Sequence, residues 1–324
     1  MKLIEVTDIA AWNGFVNAHT WGHPLQLWGW GEAKRLNGWS PHRLMRSDGT
    51  VGAQVLLWPI PKTGRFIAYV PRGPICNPDT NAALLEALVS WAREHKALYL
   101  RVEPAWKVAS FPSGWKKSAN SIQLARTYSI DLSKSEDELL SVMERKHRQY
   151  IHKSEREGVV VQRVSAQNLD AMWTIYSQTA ARAAFGLHER AYYESLWRDL
   201  GPAGALYYAE VGNRPEAFLW LATGSKTAYE LYGGVTEAGQ AARANYTLKW
   251  TAMRDMKAAG YTIYDFNGRL NDGVGKFKDG FGPDHTDWIG TWDYPINKLG
   301  YAAWENLWPV IRPVGRKLMK LVKR

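Results

Sequence analysis

The hydrophobic and polar positions of this chain trace the same series of elements twice. A Trp-rich amphipathic stretch over residues 25–39 leads to a strand-like run at 42–46. A Ser47-Asp48-Gly49 turn follows, then apolar runs at 53–58 and 66–70, a helical pattern at 81–95 and a strand at 98–102. The second series has a helix at 191–199, a strand at 205–211, a Gly212-Asn213-Arg214 turn, runs at 217–221 and 228–232, a helix at 244–258 and a strand at 261–264. Period-two runs bounded by turn residues read as strands, and the longer 3.6-residue patterns read as helices. Ala53 and Ala217, Tyr69 and Tyr232, and Leu100 and Ile263 correspond at nearly one offset, which argues for duplication. Two like domains side by side create a cleft, and clefts between domains are where ligands usually sit.

Two segments lie outside the repeat. Between the copies a helix opens near residue 133, with Ser133 and Glu136 or Ser135 and Glu138 as its capping box. Leu139, Leu140, Met143, Tyr150 and Ile151 form its apolar face, and Gly158 supplies a C-terminal stop. Arg145, Lys146, His147, Arg148, His152, Lys153 and Arg156 crowd the remainder, a pattern that fits a solvated face or a nucleic-acid contact equally. At the end of the chain, residues 299–324 combine Trp304, Leu307 and Trp308 with a basic run from Arg316 to Arg324. Such a tail suits an anionic membrane surface or RNA, while its apolar face suits closure onto the first domain. The expected limits are therefore 1–145 plus 297–324 for the first domain and 146–296 for the second.

A chain of 324 residues is natural for two domains, and 46% hydrophobic content gives ample core. No apolar run approaches the roughly 20 residues of a membrane span. Glu5 and Asp8 interrupt the first apolar stretch, so it does not read as a signal peptide. Cys76 is the sole cysteine, which rules out an intramolecular disulfide and fits a reducing cytosol. The net charge of +10 favours anionic partners: nucleic acid, phosphorylated metabolites or anionic lipid. Most of the 17 tryptophans are expected in packing roles, with some left for base, sugar or lipid contacts. His19, His23, His147, His152 and His188 share no metal-ligand spacing with Cys or carboxylates, so no metal is expected.

Each copy, read as helix, strand, turn, strand, strand, helix, strand, is similar to the GNAT acetyltransferase fold. The expected class is α/β (α+β), two tandem GNAT-like domains facing a shared cleft. GNAT domains hold a pyrophosphate on backbone N–H groups at the helix after the central strand. Neither 71–76 nor 236–241 carries the usual glycine signature there, so a GNAT-like N-acyltransferase, using acyl-CoA or aminoacyl-tRNA on another amine, is the second reading. A third is an RNA- or membrane-binding module without turnover.

Several segments together carry a more specific resemblance. They are Leu25-Gln26 with Trp30-Gly31-Glu32-Ala33-Lys34 and Gly38-Trp39, Tyr69-Val70-Pro71-Arg72-Gly73-Pro74, and Leu100-Arg101-Val102-Glu103-Pro104. Further on come Lys146-His147-Arg148-Gln149-Tyr150-Ile151, Tyr232-Gly233-Gly234, Tyr264-Asp265-Phe266-Asn267-Gly268 and Phe277-Lys278-Asp279-Gly280-Phe281-Gly282. In order and spacing the chain resembles the FemABX peptidyltransferases, which build interpeptide bridges in bacterial peptidoglycan. The resemblance implies an aminoacyl-tRNA donor and no cofactor. It implies as acceptor the stem-peptide side-chain amine of UDP-MurNAc-pentapeptide or a lipid-linked precursor. No heptad run is long enough for the coiled-coil arm of some members. A monomer acting in the cytoplasm, with peripheral contact to anionic membrane, is the expectation.

Ester aminolysis needs an amine freed of its proton, donors for the oxyanion and a proton for the leaving oxygen; it needs no covalent nucleophile. The resemblance gives Lys278 to a phosphate or the oxyanion, and Phe277 or Phe281 to the terminal base of the RNA. It gives Lys34 and Arg190 to the acceptor phosphates, with Arg182 as the alternative to Arg190 and Tyr193 beside it. Glu103 and Asp265, ending corresponding strands, are the candidate acid–base groups. Trp39, Arg72 and Tyr232 complete the expected substrate contacts, and Tyr69 is a further hydrogen-bond donor in the cleft.

Overall fold

The computed structural model describes residues 1–164, 169–268 and 273–305. The first half runs β1 (Leu3–Glu5), α1 (Ile9–Ala18), α2 (Trp28–Arg35), β2 (Ser40–Arg46), β3 (Gly52–Ile60), β4 (Arg65–Pro71), α3 (Ala82–Glu94), β5 (Ala97–Glu103) and β6 (Lys116–Lys117). Next come β7 (Arg126–Asp131), α4 (Glu136–Val142), α5 (Arg145–Arg156), β8 (Val160–Val164), α6 (Asp170–Ala183) and α7 (Arg190–Leu200). The chain closes with β9 (Gly204–Val211), β10 (Arg214–Gly224), β11 (Thr227–Val235), α8 (Glu237–Ala241), α9 (Ala244–Ala258), β12 (Ile263–Asp265), α10 (Gly273–Asp279), β13 (Asp284–Asp287) and β14 (Trp292–Pro295).

The two halves build two seven-stranded sheets of matching order, β1-β2-β3-β4-β5-β14-β6 and β8-β9-β10-β11-β12-β7-β13. β4–β5 and β11–β12 are the corresponding parallel pairs, flanked by antiparallel ones. The duplication is therefore real at the level of topology. All seven residues of β5 are buried, as befits a strand covered on both faces. On α3 the buried set Leu84, Leu85, Leu88, Val89 and Ala92 recurs every three to four residues and seats the helix on that sheet.

The sheets divide the chain differently from the limits 1–145 plus 297–324 and 146–296. β7 inserts between β12 and β13 of the second sheet, and β14 inserts between β5 and β6 of the first. Counting seven strands to each repeat, each sheet thus receives the last strand of the other repeat as an inner strand, a reciprocal exchange made at the β6–β7 and β13–β14 connections. Short strands such as these pair through tertiary context, which local pattern does not encode.

The connector is two helices, not one. Ser135 and Glu138 form the reciprocal capping box that opens α4. The chain breaks at Met143: the Glu144 N–H donates 2.9 Å to the Gly280 carbonyl, and the Arg148 guanidinium takes the Leu140 carbonyl at 3.2 Å. Tertiary partners for freed backbone groups outcompete the continuous helix. Toward the C-terminus, residues 298–305 are helical, and Tyr301 and Trp304 pack on Ile60, Ile67, Leu98 and Tyr99 of the first domain. Residues 306–324, with the basic run, lie outside the described residues.

The two halves share one apolar cluster in which Trp12, Leu25 and Trp30 meet Tyr192, Tyr193 and Trp220. Trp12, Trp106 and Trp220 are fully enclosed, so these tryptophans are packing residues. Helix α2 lies so close on α7 that a Cβ at Gly29 would stand 2.1 Å from the Asp199 carbonyl oxygen. Gly29→Ala should therefore wedge the halves apart and cost about 1–3 kcal/mol, read as a fall of several degrees in the calorimetric Tm. An unchanged Tm would show that this helix pair yields without loss.

Candidate active site

The site begins with a split in the second sheet. β11 pairs with β12 only from Thr227↔Ile263 to Tyr229↔Asp265, then runs on to Val235 paired with β10 on its other edge. In the first sheet the corresponding pair stays together as far as Pro71↔Glu103. The gap beyond Tyr229 opens a cavity of about 560 Å³. Its walls include Glu230 and Tyr232 of β11, Tyr246 and Lys249 of α9, and Phe277 and Lys278 of α10.

Lys278 is held in that wall by backbone. Its Nζ donates to the Phe266 carbonyl at 2.7 Å and the Gly268 carbonyl at 3.0 Å, just past the end of β12. Phe277 lies beside it, half-buried, in edge contact with Tyr246 at 4.9 Å. Phe281 is fully buried against His147, Tyr246 and Phe266. A residue with no exposed surface offers no face to a nucleobase, so of the two phenylalanines only Phe277 borders the cavity.

Asp265 and Glu103, which end β12 and β5, are both buried. Asp265 accepts from the Thr127 hydroxyl at 2.5 Å and the Asn267 N–H at 2.6 Å. Burial pushes its carboxyl upward, opposed by those bonds and by the charges of Arg72 and Lys278. Arg72 is itself buried and donates to the Leu124 carbonyl at 2.8 Å. Burial disfavours its charge, and the charges of Asp265 and Glu103 oppose that effect. Its backbone is left-handed at φ 50°, a conformation that costs a side-chain-bearing residue energy and is typical of functional turns. The structure thus brings Lys278, Asp265, Arg72 and Glu103 to one junction between the halves.

Glu103 does not have the freedom of a base. Its carboxylate accepts from the Tyr69 hydroxyl at 2.5 Å, the N–H groups of Ile122 at 2.6 Å and Gln123 at 3.0 Å, and the Thr291 hydroxyl at 2.7 Å. Four donors fill its lone pairs and tie β4, β5, the 121–123 loop and the approach to β14 into a clamp. Trp39 packs 5.9 Å from the Tyr69 ring and borders the same network.

Lys34 occupies a second position. Its ammonium lies 4.6 Å from the Trp30 ring centroid and 4.8 Å from that of Tyr192. Burial pushes its pKa down to about 8. His188 stands nearby, held at about 4 by burial and by the lysine charge. The Tyr192 hydroxyl is 3.4 Å from that of Tyr232, so an aromatic bridge joins Lys34 to the cavity wall. Tyr193 packs on Tyr232 at 5.2 Å and accepts from the His188 N–H. Arg190 is not drawn into this group: it sits exposed, paired with Asp170 at 2.5 Å and Glu194 at 2.7 Å. Arg182 lines the cavity instead and donates to the Val235 carbonyl at 2.7 Å.

Sequence reasoning misses one constellation. Lys249 on α9 and Glu230 on β11 form a buried ion pair in the cavity wall, and Tyr264 donates 2.7 Å to the same Glu230 Oε1. A lysine in a helical pattern reads as a surface residue; only its place among the apolar positions Leu248, Trp250 and Met253 signals otherwise. His147 reads as part of a charged run, yet it is buried, with its Nε2 2.9 Å from the Phe277 carbonyl and its ring stacked on Phe277. Among the described residues no three His, Cys, Asp or Glu side chains gather to hold a metal.

A duplicated mixed sheet with one half split open defines a tandem GNAT-like fold. The FemAB family profile matches residues 8–121, 113–216 and 214–307, and the chain belongs to the FemAB family. It is 23% identical to a protein named lipid II:glycine glycyltransferase from Staphylococcus saprophyticus subsp. saprophyticus, over all of both chains. That alignment of 418 positions is longer than this chain, so the relative carries insertions absent here. A crystal structure of FemX superposes with a TM-score of 0.84 at 21% identity, covering 93% of this chain and 99% of that one. A tandem GNAT protein from the clavulanic acid biosynthesis pathway superposes with a TM-score of 0.53 at 12% identity, covering 90% of this chain and 97% of that one.

Glu103→Gln tests the clamp. The amide has one oxygen to accept with and sets its NH₂ against donors, so Tm should fall by the equivalent of about 1–3 kcal/mol. The pH profile of turnover should keep its shape, measured on the folded fraction. Loss of an acidic limb at unchanged Tm would instead make Glu103 the proton acceptor.

Proposed function

We propose that this protein is a bridge-building aminoacyltransferase: it moves an amino acid from aminoacyl-tRNA to the stem-peptide side-chain amine of a lipid-linked peptidoglycan precursor. Family membership and relatives named lipid II:glycine glycyltransferase support the transferase class and the precursor. The observation that carries the reading is the split between β11 and β12, which opens a cavity beside Lys278 within the second half. A donor ester enters along that cavity. The acceptor approaches across the junction, its pyrophosphate on the Lys34 side.

The chemistry needs little from the protein beyond orientation and charge. The acceptor amine attacks the ester carbonyl, the C–O bond to the ribose breaks, and one proton passes from the amine to the ribose oxygen. The Lys278 ammonium, fixed by two carbonyls, meets the oxyanion, and Asp265 lies within electrostatic reach of it. Phe277 stacks on the terminal base, a sequence-tolerant contact. No helix among the described residues is long and apolar enough to cross a membrane.

Incubation with total aminoacyl-tRNA and the lipid-linked precursor, read by mass spectrometry, should show the precursor gaining an amino-acid residue. No mass gain with any aminoacyl-tRNA would end this reading. Lys278→Met should cut turnover by on the order of 10²-fold with the fold intact; activity within a few-fold of wild type removes Lys278 from the chemistry.

Lys34 yields a pH prediction. With its pKa at about 8, the side chain is charged below that pH and loses its charge as pH rises through it. Affinity for a pyrophosphate should therefore fall above about pH 8. Lys34→Arg stays charged throughout. The ratio of wild-type to variant kcat/KM for the acceptor should drop across that range while the donor KM ratio stays flat. A flat acceptor ratio would take Lys34 off the phosphates.

A further inference from the structure

A line of aromatic rings leads from the outer surface of α5 to the cavity. Tyr150, half-buried on α5, stands 5.0 Å from Tyr246, and Tyr246 stands 4.9 Å from Phe277 at the cavity wall. Two cations flank the outermost ring: Lys146 Nζ lies 5.5 Å from the Tyr150 centroid, and the Arg243 guanidinium 4.7 Å from it. Tyr150 also lines a surface depression with Gln149, Lys153 and Arg156. The helix beneath carries Arg145, Lys146, Arg148, Lys153 and Arg156 against the single acid Glu155. Glu157, just past its end, is already engaged by Lys153 at 3.4 Å and Arg243 at 3.8 Å.

Stacking faces interleaved with cations are what a single-stranded nucleic acid needs: rings take the bases and ammonium or guanidinium groups take the phosphates. A duplex would offer phosphates but no free base faces. A lipid surface would want exposed aliphatic anchors, and Tyr150 and Tyr246 are half-buried rings. We infer that the strip Lys146–Tyr150–Arg243–Tyr246 is the path by which the unpaired 3′ end of the donor RNA reaches the cavity, the last base passing to Phe277. This inference rests on the aminoacyl-tRNA reading above and adds the residues that recognise the strand. The connector thereby gains a double role, since α5 holds Phe277 from beneath through His147 and receives the strand on top through Tyr150.

The probes are a labelled acceptor-stem RNA hairpin with a single-stranded 3′ end and the same hairpin with a blunt end, followed by fluorescence anisotropy over a range of salt. Wild-type protein should prefer the single-stranded end. Tyr150→Ala should weaken that complex roughly five- to hundredfold, the loss expected for one base stack, and Tyr150→Phe should bind as wild type. Lys146→Ala should reduce the salt slope by roughly 0.7, one phosphate contact to a single strand. In turnover both weakening variants should raise the KM for aminoacyl-tRNA and leave the acceptor KM alone. Tyr150→Ala and Lys146→Ala that bind the single-stranded end as tightly as wild type would overturn the inference. Equal loss for the blunt hairpin, or loss of binding to phosphatidylglycerol vesicles with RNA binding intact, would overturn it too. Wild-type protein that binds neither RNA would instead bring down the aminoacyl-tRNA reading itself, so the two failures are distinguishable.

Discussion

The reciprocal strand exchange is the constraint on which the molecule depends. Neither sheet is complete without the seventh strand of the other repeat: β14 fills the place beside β5, and β7 the place beside β12. The exchange also builds the junction. The first residue before β14, Thr291, bonds Glu103 at the end of β5, while Thr127 on β7 bonds Asp265 at the end of β12. A buried ion pair of Arg101 with Asp293 at 2.7 Å locks β14 to β5. Each incoming strand therefore ties down the acidic residue that closes its host's central strand. The two carboxylates reach Arg72 from opposite halves because the strands that hold them were traded.

Duplication gives two equivalent places for a site, and the structure shows why one is open and one is shut. In the first half β4 and β5 stay paired to their ends, and Glu103, Tyr69 and Gln123 fill the space that follows. In the second half β11 outruns β12 by six residues on its way to Val235, and the space is a cavity. The same topology thus supplies a rigid half and a receiving half. Glu103 and Asp265 look equivalent in sequence, yet four donors saturate the first, while the second keeps an electrostatic partnership with Lys278.

Much of this is legible in the chain. The repeat, its helices and its longer strands lie close to where periodicity places them, because those segments carry enough apolar positions to declare a period. The neighbourhood of Lys278, Phe277, Asp265 and Arg72 follows from ordered motifs. The exchange is not legible, since β6, β7, β13 and β14 are short and pair with residues as far apart as Trp292 and Val102. Nor is the break at Met143, which has no Gly or Pro and depends on Gly280 accepting from Glu144. Arg190 stands out by its sequence context, but Asp170, distant in sequence, claims it on the surface. Lys249 escapes notice because its partner Glu230 lies on another element.

The distribution of charge separates attraction from orientation. Three cations of the site are matched, Lys249 by Glu230, Arg72 by Asp265 and Glu103, and Lys278 by Asp265 and two carbonyls, while Lys34 rests on the rings of Trp30 and Tyr192. Matched charges in a low-dielectric wall create steep local fields but little long-range pull. Long-range pull comes mainly from cations outside the site, and α5 is one described place where lysines and arginines outnumber acids. Such a surface raises the encounter rate with a polyanion and is screened by salt, whereas the paired interior is not. The same basic composition thus divides by burial: exposed cations create a long-range field, and buried, paired ones a local one.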